Sequence, residues 1–303
     1  MSKILERIFY KQRAEFAETL PERDMRFSFP ENVEEIKDIA YLPDNDPSHR
    51  LDIYRPADQA DKTLPVLINI HGGGLIMGCK EFNRYFNARL CQLGYVVFSL
   101  EYPLVPDCTF FDQCHTVFQA FDFVRDHAAS YHGDTSTVYA VGDSGGACLL
   151  TYCVAMQNSP AVAKAAGVRP STFSIRALGL ISGMFYTNKR DSIGMFLPGY
   201  LYGKHYKRSA FAAYVNPEHP DIVRALPPCL LITSQNDSLQ HYTLQFEQAL
   251  TKQQVPHQLI NYPKNKELTH AFSVFEPFLD ASTDTLQQIH QFFTNTTEQP
   301  TQK

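Results

Sequence analysis

The sequence predicts an α/β fold built on a mostly parallel central sheet with helices on both faces. Three observations carry that expectation. From residue 65 to 293, short β-favouring runs alternate with longer segments of helical character. The runs are apolar at nearly every position, as at 66–70 and 229–233, a pattern that suits strands covered on both sides. One run, 138–141, leads straight into Gly142, Ser144 and Gly146 in G-x-S-x-G register. That spacing is required where a strand turns so sharply into a helix that the serine takes strained dihedrals.

Length and composition bound the rest. The 303 residues can hold one large α/β domain, and a 44% hydrophobic, 19% charged chain has the balance of an ordinary globular protein. A net charge of -5 gives no basic footprint, so nucleic acid is not an expected partner. No apolar run approaches the length needed to cross a bilayer, so no stable membrane insertion is expected. The charge-dense start (Lys3, Glu6, Arg7, Lys11, Arg13, Glu15, Glu18) does not read as a signal-peptide core, and points to the cytoplasm. Seven scattered cysteines form no C-x-x-C pair and share no ligand spacing with histidines. They read as reduced thiols, with no metal site.

The elements follow in order. Ile4, Leu5, Ile8, Phe9, Phe16 and Leu20 make a roughly helical stripe that should cover the core or a pocket mouth. Strands are expected at 36–42 and 51–54, separated by the turn-rich Pro43-Asp44-Asn45-Asp46-Pro47. Further strands are expected at 66–70, 95–100, 138–141, 177–181, 229–233 and 258–262. Helices are expected at 82–93 (closed by Gly94), 114–129, 144–156, 239–252 and 282–293. The stretch 182–227 breaks the rhythm, with many glycines, tyrosines and prolines and no clear strand. It leaves from a strand end, where sites in open α/β sheets lie, and so reads as a cap. The expected organisation is a single domain over 1–303, with cap elements at about 1–35 and 183–227 and a polar, fraying tail at 294–303.

A serine hydroxyl becomes a nucleophile when a neighbouring base takes its proton and a third group orients that base. In a parallel sheet such groups belong just past the C-terminal ends of strands. Asp237 lies four residues beyond the strand 229–233, and His270 lies in the loop after 258–262. The order Ser144, Asp237, His270 is the one expected of a G-x-S-x-G strand–turn–helix enzyme. His257 precedes its strand, His241 and His290 fall on expected helices, and His205 and His219 lie in the expected cap. Asp143 adjoins the serine and should point elsewhere. His71-Gly72-Gly73-Gly74 ends a strand with three residues that lack a Cβ. The amides of Gly73 and Gly74, with that of Gly145 after the serine, make an expected oxyanion hole. His71 should support this loop through its ring hydrogen bonds. Phosphate binding is the competing use of such glycines, but no G-x-x-x-x-G-K-[ST] sequence exists here.

On the residues His71-Gly72-Gly73-Gly74, Gly142-Asp143-Ser144-Gly145-Gly146, Asp237-Ser238-Leu239 and His270-Ala271-Phe272, the chain resembles the hormone-sensitive-lipase-like esterases of the α/β-hydrolase superfamily. The resemblance spans about residues 50 to 290. It implies the α/β-hydrolase fold and a serine carboxylesterase acting on small to medium esters through an acyl-enzyme, without a cofactor. It also implies a cap formed by the N-terminal segment and an insertion. Two departures stand out. Gly145 occupies a position that is commonly alanine, and Glu101-Tyr102-Pro103-Leu104-Val105-Pro106-Asp107 lacks the arginine of the family's Tyr-Arg-Leu-Ala-Pro-Glu segment.

Aromatics of the insertion (Phe185, Tyr186, Phe196, Tyr200, Tyr202) are the candidates for lining an acyl pocket. A peptidase or amidase on the same fold is the alternative within catalysis. A catalytically silent ligand-binding homologue is the alternative outside it. An exposed sheet edge or cap helix could form a homodimer.

Overall fold

The computed structural model describes residues 2–59 and 62–298. Its strands are β1 (Val33–Ala40), β2 (Arg50–Pro56), β3 (Leu64–Ile70), β4 (Val96–Leu100), β5 (Gly133–Asp143), β6 (Ala177–Ile181), β7 (Cys229–Ser234) and β8 (His257–Tyr262). They form one sheet in the order β1-β2-β4-β3-β5-β6-β7-β8. β1 pairs antiparallel with β2 and β2 with β4, and every pairing from β4 to β8 is parallel.

Alternation along the central strands divides the side chains between two cores. Val66, Ile68 and Ile70 of β3, with Val96, Phe98 and Leu100 of β4, join the core under α4 (Phe110–His127) and α5 (Ser144–Asn158). Leu67, Val97, Tyr139 and Val141 face the opposite core, under α3 (Arg84–Gln92) and α12 (Asp280–Glu298). Because both faces are buried, the strands are apolar on successive positions. Burying each such side chain contributes about 1.5–3 kcal/mol.

The other helices are α1 (Lys3–Glu18), α2 (Leu20–Arg26), α6 (Pro160–Ala166), α7 (Ser192–Phe196), α8 (Pro198–Leu201), α9 (Pro220–Val223), α10 (Gln240–Lys252) and α11 (Phe272–Phe275). The mostly parallel sheet agrees with the sequence expectation, and so do the eight strand positions to within a few residues. Several boundaries differ, each for a physical reason. β1 begins at Val33, and a bulge between Ile36 and Ile39 places Asp38 at φ 58°. α4 starts four residues earlier than expected because Thr109 and Asp112 close a reciprocal capping box. α6 lay unread between Ser159 and Gly167, although it carries proline at its start and a left-handed glycine at its end. Residues 294–298, expected to fray, continue α12, and 299–303 lie outside the described residues.

The stripe of α1 is only partly covered. Phe9 is buried, edge-on to Tyr200 at 5.2 Å, and Phe16 stacks on Phe82 at 4.1 Å. Ile4 and Ile8 remain 71% and 42% exposed. Polar contacts complete the docking, since Arg13 donates to the carbonyls of Ile76 and Val105 and pairs with Asp107. Among the described residues no helix is long and apolar enough to cross a membrane.

Candidate active site

The bend after β5 is set by what cannot fit there. Ser144 sits at φ 50°, a strained conformation for a residue with a Cβ. A Cβ on Gly142 would fall 2.9 Å from the Ala147 nitrogen, and one on Gly146 would fall 2.1 Å from the Ile70 carbonyl oxygen. Only glycine satisfies both positions, and the backbone turns at once into the first turn of α5.

Three separate loops converge on this serine. His270, after β8, has Nε2 2.9 Å from Ser144 Oγ and Nδ1 2.7 Å from Asp237 Oδ1. The carboxylate fixes the tautomer. Nδ1 donates to Asp237, which leaves Nε2 to accept the serine hydroxyl proton. Asp237, after β7, also accepts the Leu239 amide at 2.8 Å and the Thr233 hydroxyl at 2.9 Å. Burial raises its pKa, but the His270 ring, the Leu239 amide and the Ser182 hydroxyl outweigh burial and hold it below the ordinary carboxylate value. The Ser234 hydroxyl donates to the Leu268 carbonyl, tying the loop of Asp237 to that of His270. Ser182, at the end of β6, accepts the Ala271 amide at 3.0 Å.

The glycine run lies against the elbow. Gly73 and Gly74 have φ of 105° and 61°, and a Cβ on Gly73 would sit 2.0 Å from the Met77 carbonyl oxygen. The position that a Gly145 Cβ would take is 2.9 Å from the backbone nitrogens of both Gly74 and Leu75. Asp143 turns its carboxylate to the glycine loop and Asn83. Its Oδ1 accepts the Gly72 amide at 3.0 Å and the Asn83 side-chain amide at 2.8 Å. Burial raises the Asp143 pKa, against the lowering effect of Asn83 and nearby charges. His71 is buried under the loop, with ring nitrogens facing the Gly72 carbonyl and Glu101.

The structure therefore brings Ser144, His270 and Asp237 into one line and places Gly72, Gly73, Gly74, Gly145, Asp143 and His71 around it. His257 lies with Glu247, and His290 with Tyr95. Sequence reading passed over Thr233, Ser182 and Asn83, which hold the line from behind. Thr233 was visible only as the last residue of its strand.

The aromatics of the insertion are spent differently from what was expected. Phe185 stacks on Phe246 at 4.2 Å, and Tyr186 meets Tyr242 edge-on at 5.1 Å, both against α10. Tyr202 joins Phe110 and Phe211, Tyr200 holds α1 and Phe196 is 44% exposed. Apart from Phe196, these rings pack against α10, α4 and α1, because large apolar surface is buried wherever neighbours allow.

A family model described as BD-FAE matches residues 51–246, more than half of the chain. The chain belongs to the BD-FAE family. Among solved structures, an inhibited esterase B from Lactobacillus rhamnosis superposes on this BD-FAE chain with a TM-score of 0.90. It shares 24% identity over 98% of this chain and 97% of the other. A hyperthermophilic esterase from Pyrobaculum calidifontis gives 0.70 at 23% identity, covering 98% and 99%. These likenesses bear out the α/β-hydrolase fold. Among curated relatives, esterase LipQ of Mycobacterium tuberculosis is 30% identical over 164 residues, 53% of this chain and 38% of that protein. Isoprenylcysteine alpha-carbonyl methylesterase ICME of Arabidopsis thaliana is 27% identical over 137 residues, 45% of this chain and 32% of that protein. The chain spans less than half the length of the curated relatives it matches.

Proposed function

We propose that this BD-FAE protein is a serine carboxylesterase that hydrolyses small to medium carboxylic esters through an acyl-enzyme. The observation that carries the reading is the unbroken hydrogen-bonded line Asp237–His270–Ser144 beside the amides of a glycine loop. Ser144 attacks the ester carbonyl as His270 Nε2 takes its proton, and Asp237 stabilises the imidazolium that forms. The amides of Gly73, Gly74 and Gly145 receive the developing oxyanion. His270 then protonates the departing alcohol, and water repeats the sequence on the acyl-enzyme.

The N-terminal helices and the segment 183–227 form the cap in this account, within a single domain. The cytoplasm is the proposed compartment, consistent with seven free cysteines.

The test is a panel of nitrophenyl esters of increasing acyl length set beside aminoacyl anilides. Turnover of the short and medium esters, with the anilides inert, is the expected result. Ser144→Ala should lower kcat roughly a million-fold, the scale on which removal of an activated serine acts. Anilides cleaved faster than esters would establish a peptidase. A wild-type chain inert to every ester and to a fluorophosphonate label would establish a silent homologue.

A further inference from the structure

His71 and Glu101 are register neighbours. β3 and β4 run parallel with Ile70 opposite Leu100, so the next residue of each strand end lies beside the other. The His71 side chain is 1% exposed and that of Glu101 is 13% exposed. His71 Nδ1 lies 2.8 Å from the Gly72 carbonyl oxygen, and Nε2 lies 2.9 Å from Glu101 Oε1.

The partners of the two ring nitrogens bear on the proton content. A carbonyl oxygen only accepts, so Nδ1 carries a hydrogen. Glu101 Oε1 already accepts the Tyr102 amide at 3.2 Å, and Oε2 accepts the Lys80 amide at 3.1 Å. Two amide donors on its oxygens favour the ionised carboxylate, and an Nε2 that faces a carboxylate carries a hydrogen as well. An imidazole with both nitrogens protonated is a cation.

The surroundings agree. The Tyr102 ring stacks on His71 at 4.4 Å and 17°, and its hydroxyl donates to the His71 carbonyl at 2.8 Å. Gly78 backs onto the ring, where a Cβ would fall 2.9 Å from Nδ1. The charged groups facing His71 are Glu101, just after β4, and Asp143, at the end of β5, both acidic. The ammonium of Lys80 is engaged by Asp38, Asp52 and Glu81. Burial lowers the His71 pKa, but Glu101, the Gly72 carbonyl and Asp143 outweigh it and the net direction is upward.

The geometry points to His71 as a buried imidazolium held in charge by Glu101, the pair acting as a positioning dyad that fixes the glycine loop. This rests on the esterase reading above. The sign follows from the charge. His71 is cationic below its raised folded pKa and loses the charge as pH rises through it, so kcat should show an alkaline limb belonging to this pair.

Two measurements test it. Nitrogen-detected NMR on the full wild-type chain and on Ser144→Ala, at neutral pH, should show both His71 ring nitrogens protonated. Glu101→Gln should lower kcat on a short nitrophenyl ester about tenfold, less than the hundredfold or more for outright loss of an oxyanion donor. KM should change little, and the alkaline limb should move to lower pH. His71→Gln, a neutral donor towards Glu101, should remove the limb. A neutral His71 in the wild type overturns the charge assignment. A Glu101→Gln pH profile superimposable on wild type overturns the positioning role and reduces the pair to packing. Failure of the esterase reading shows instead as an inert wild type, and the NMR result then still decides the charge.

Discussion

Gly145→Ala tests how tightly the glycine loop lies on the elbow. The added methyl would meet the backbone nitrogens of Gly74 and Leu75 at 2.9 Å each and the Gly74 Cα at 3.1 Å. Ordinary contact lies near about 3.5 Å, so the loop must retreat by roughly half an ångström. No rotamer relieves this, because all three neighbours are backbone. Oxyanion donors act at about 2.7–3.1 Å, and such a retreat takes one of them past the useful range. Losing a donor outright costs about 2.7–4 kcal/mol, and a partial displacement should cost about half, or roughly ten- to thirtyfold in kcat. KM should barely move, since the donor serves the transition state. The assay is steady-state hydrolysis of a short nitrophenyl ester alongside a thermal melt. Gly199→Ala, with nothing within 4 Å of the new methyl, is the control. A Gly145→Ala enzyme within twofold of wild type in kcat, at an unchanged melting temperature, would refute the claim that the loop is pressed onto the elbow. The alanine common at this position in similar enzymes would then be equally acceptable here.

Asp237→Asn keeps the shape but lets His270 adopt the wrong tautomer, so kcat should fall by about 10⁴. The same carboxylate has a lowered folded pKa, so its contribution to stability is complete above the unfolded value of about 3.9 and is lost as pH falls through the folded one. The gap in urea midpoint between wild type and Asp237→Asn should therefore shrink on acidification, and a gap that widens would contradict the assignment. Thr109→Ala removes half of the capping box on α4 and should cost about 1 kcal/mol in urea unfolding. An unchanged midpoint would show that the cap adds nothing to stability.

Much of this molecule was determined by rules that act over a few residues. Continuous apolar runs mark strands such as β3 and β7, because a strand covered on both faces has no polar side to show. Gly142 and Gly146 follow from sterics within one turn, and the places of Asp237 and His270 follow from strand ends in a parallel sheet. Tertiary structure alone decided the contacts between distant segments. It set the 2.7 and 2.9 Å spacings between residues 33 and 126 positions apart. It sent the Asp143 carboxylate to the Gly72 amide, and it spent the aromatics of the insertion on packing against α10 and α4. It also paired His71 with Glu101 through the register of β3 on β4. These contacts depend on how separate elements dock, and docking is a property of the summed packing of both cores. No local pattern in the chain encodes which ring or carboxylate will lie within hydrogen-bonding distance of another.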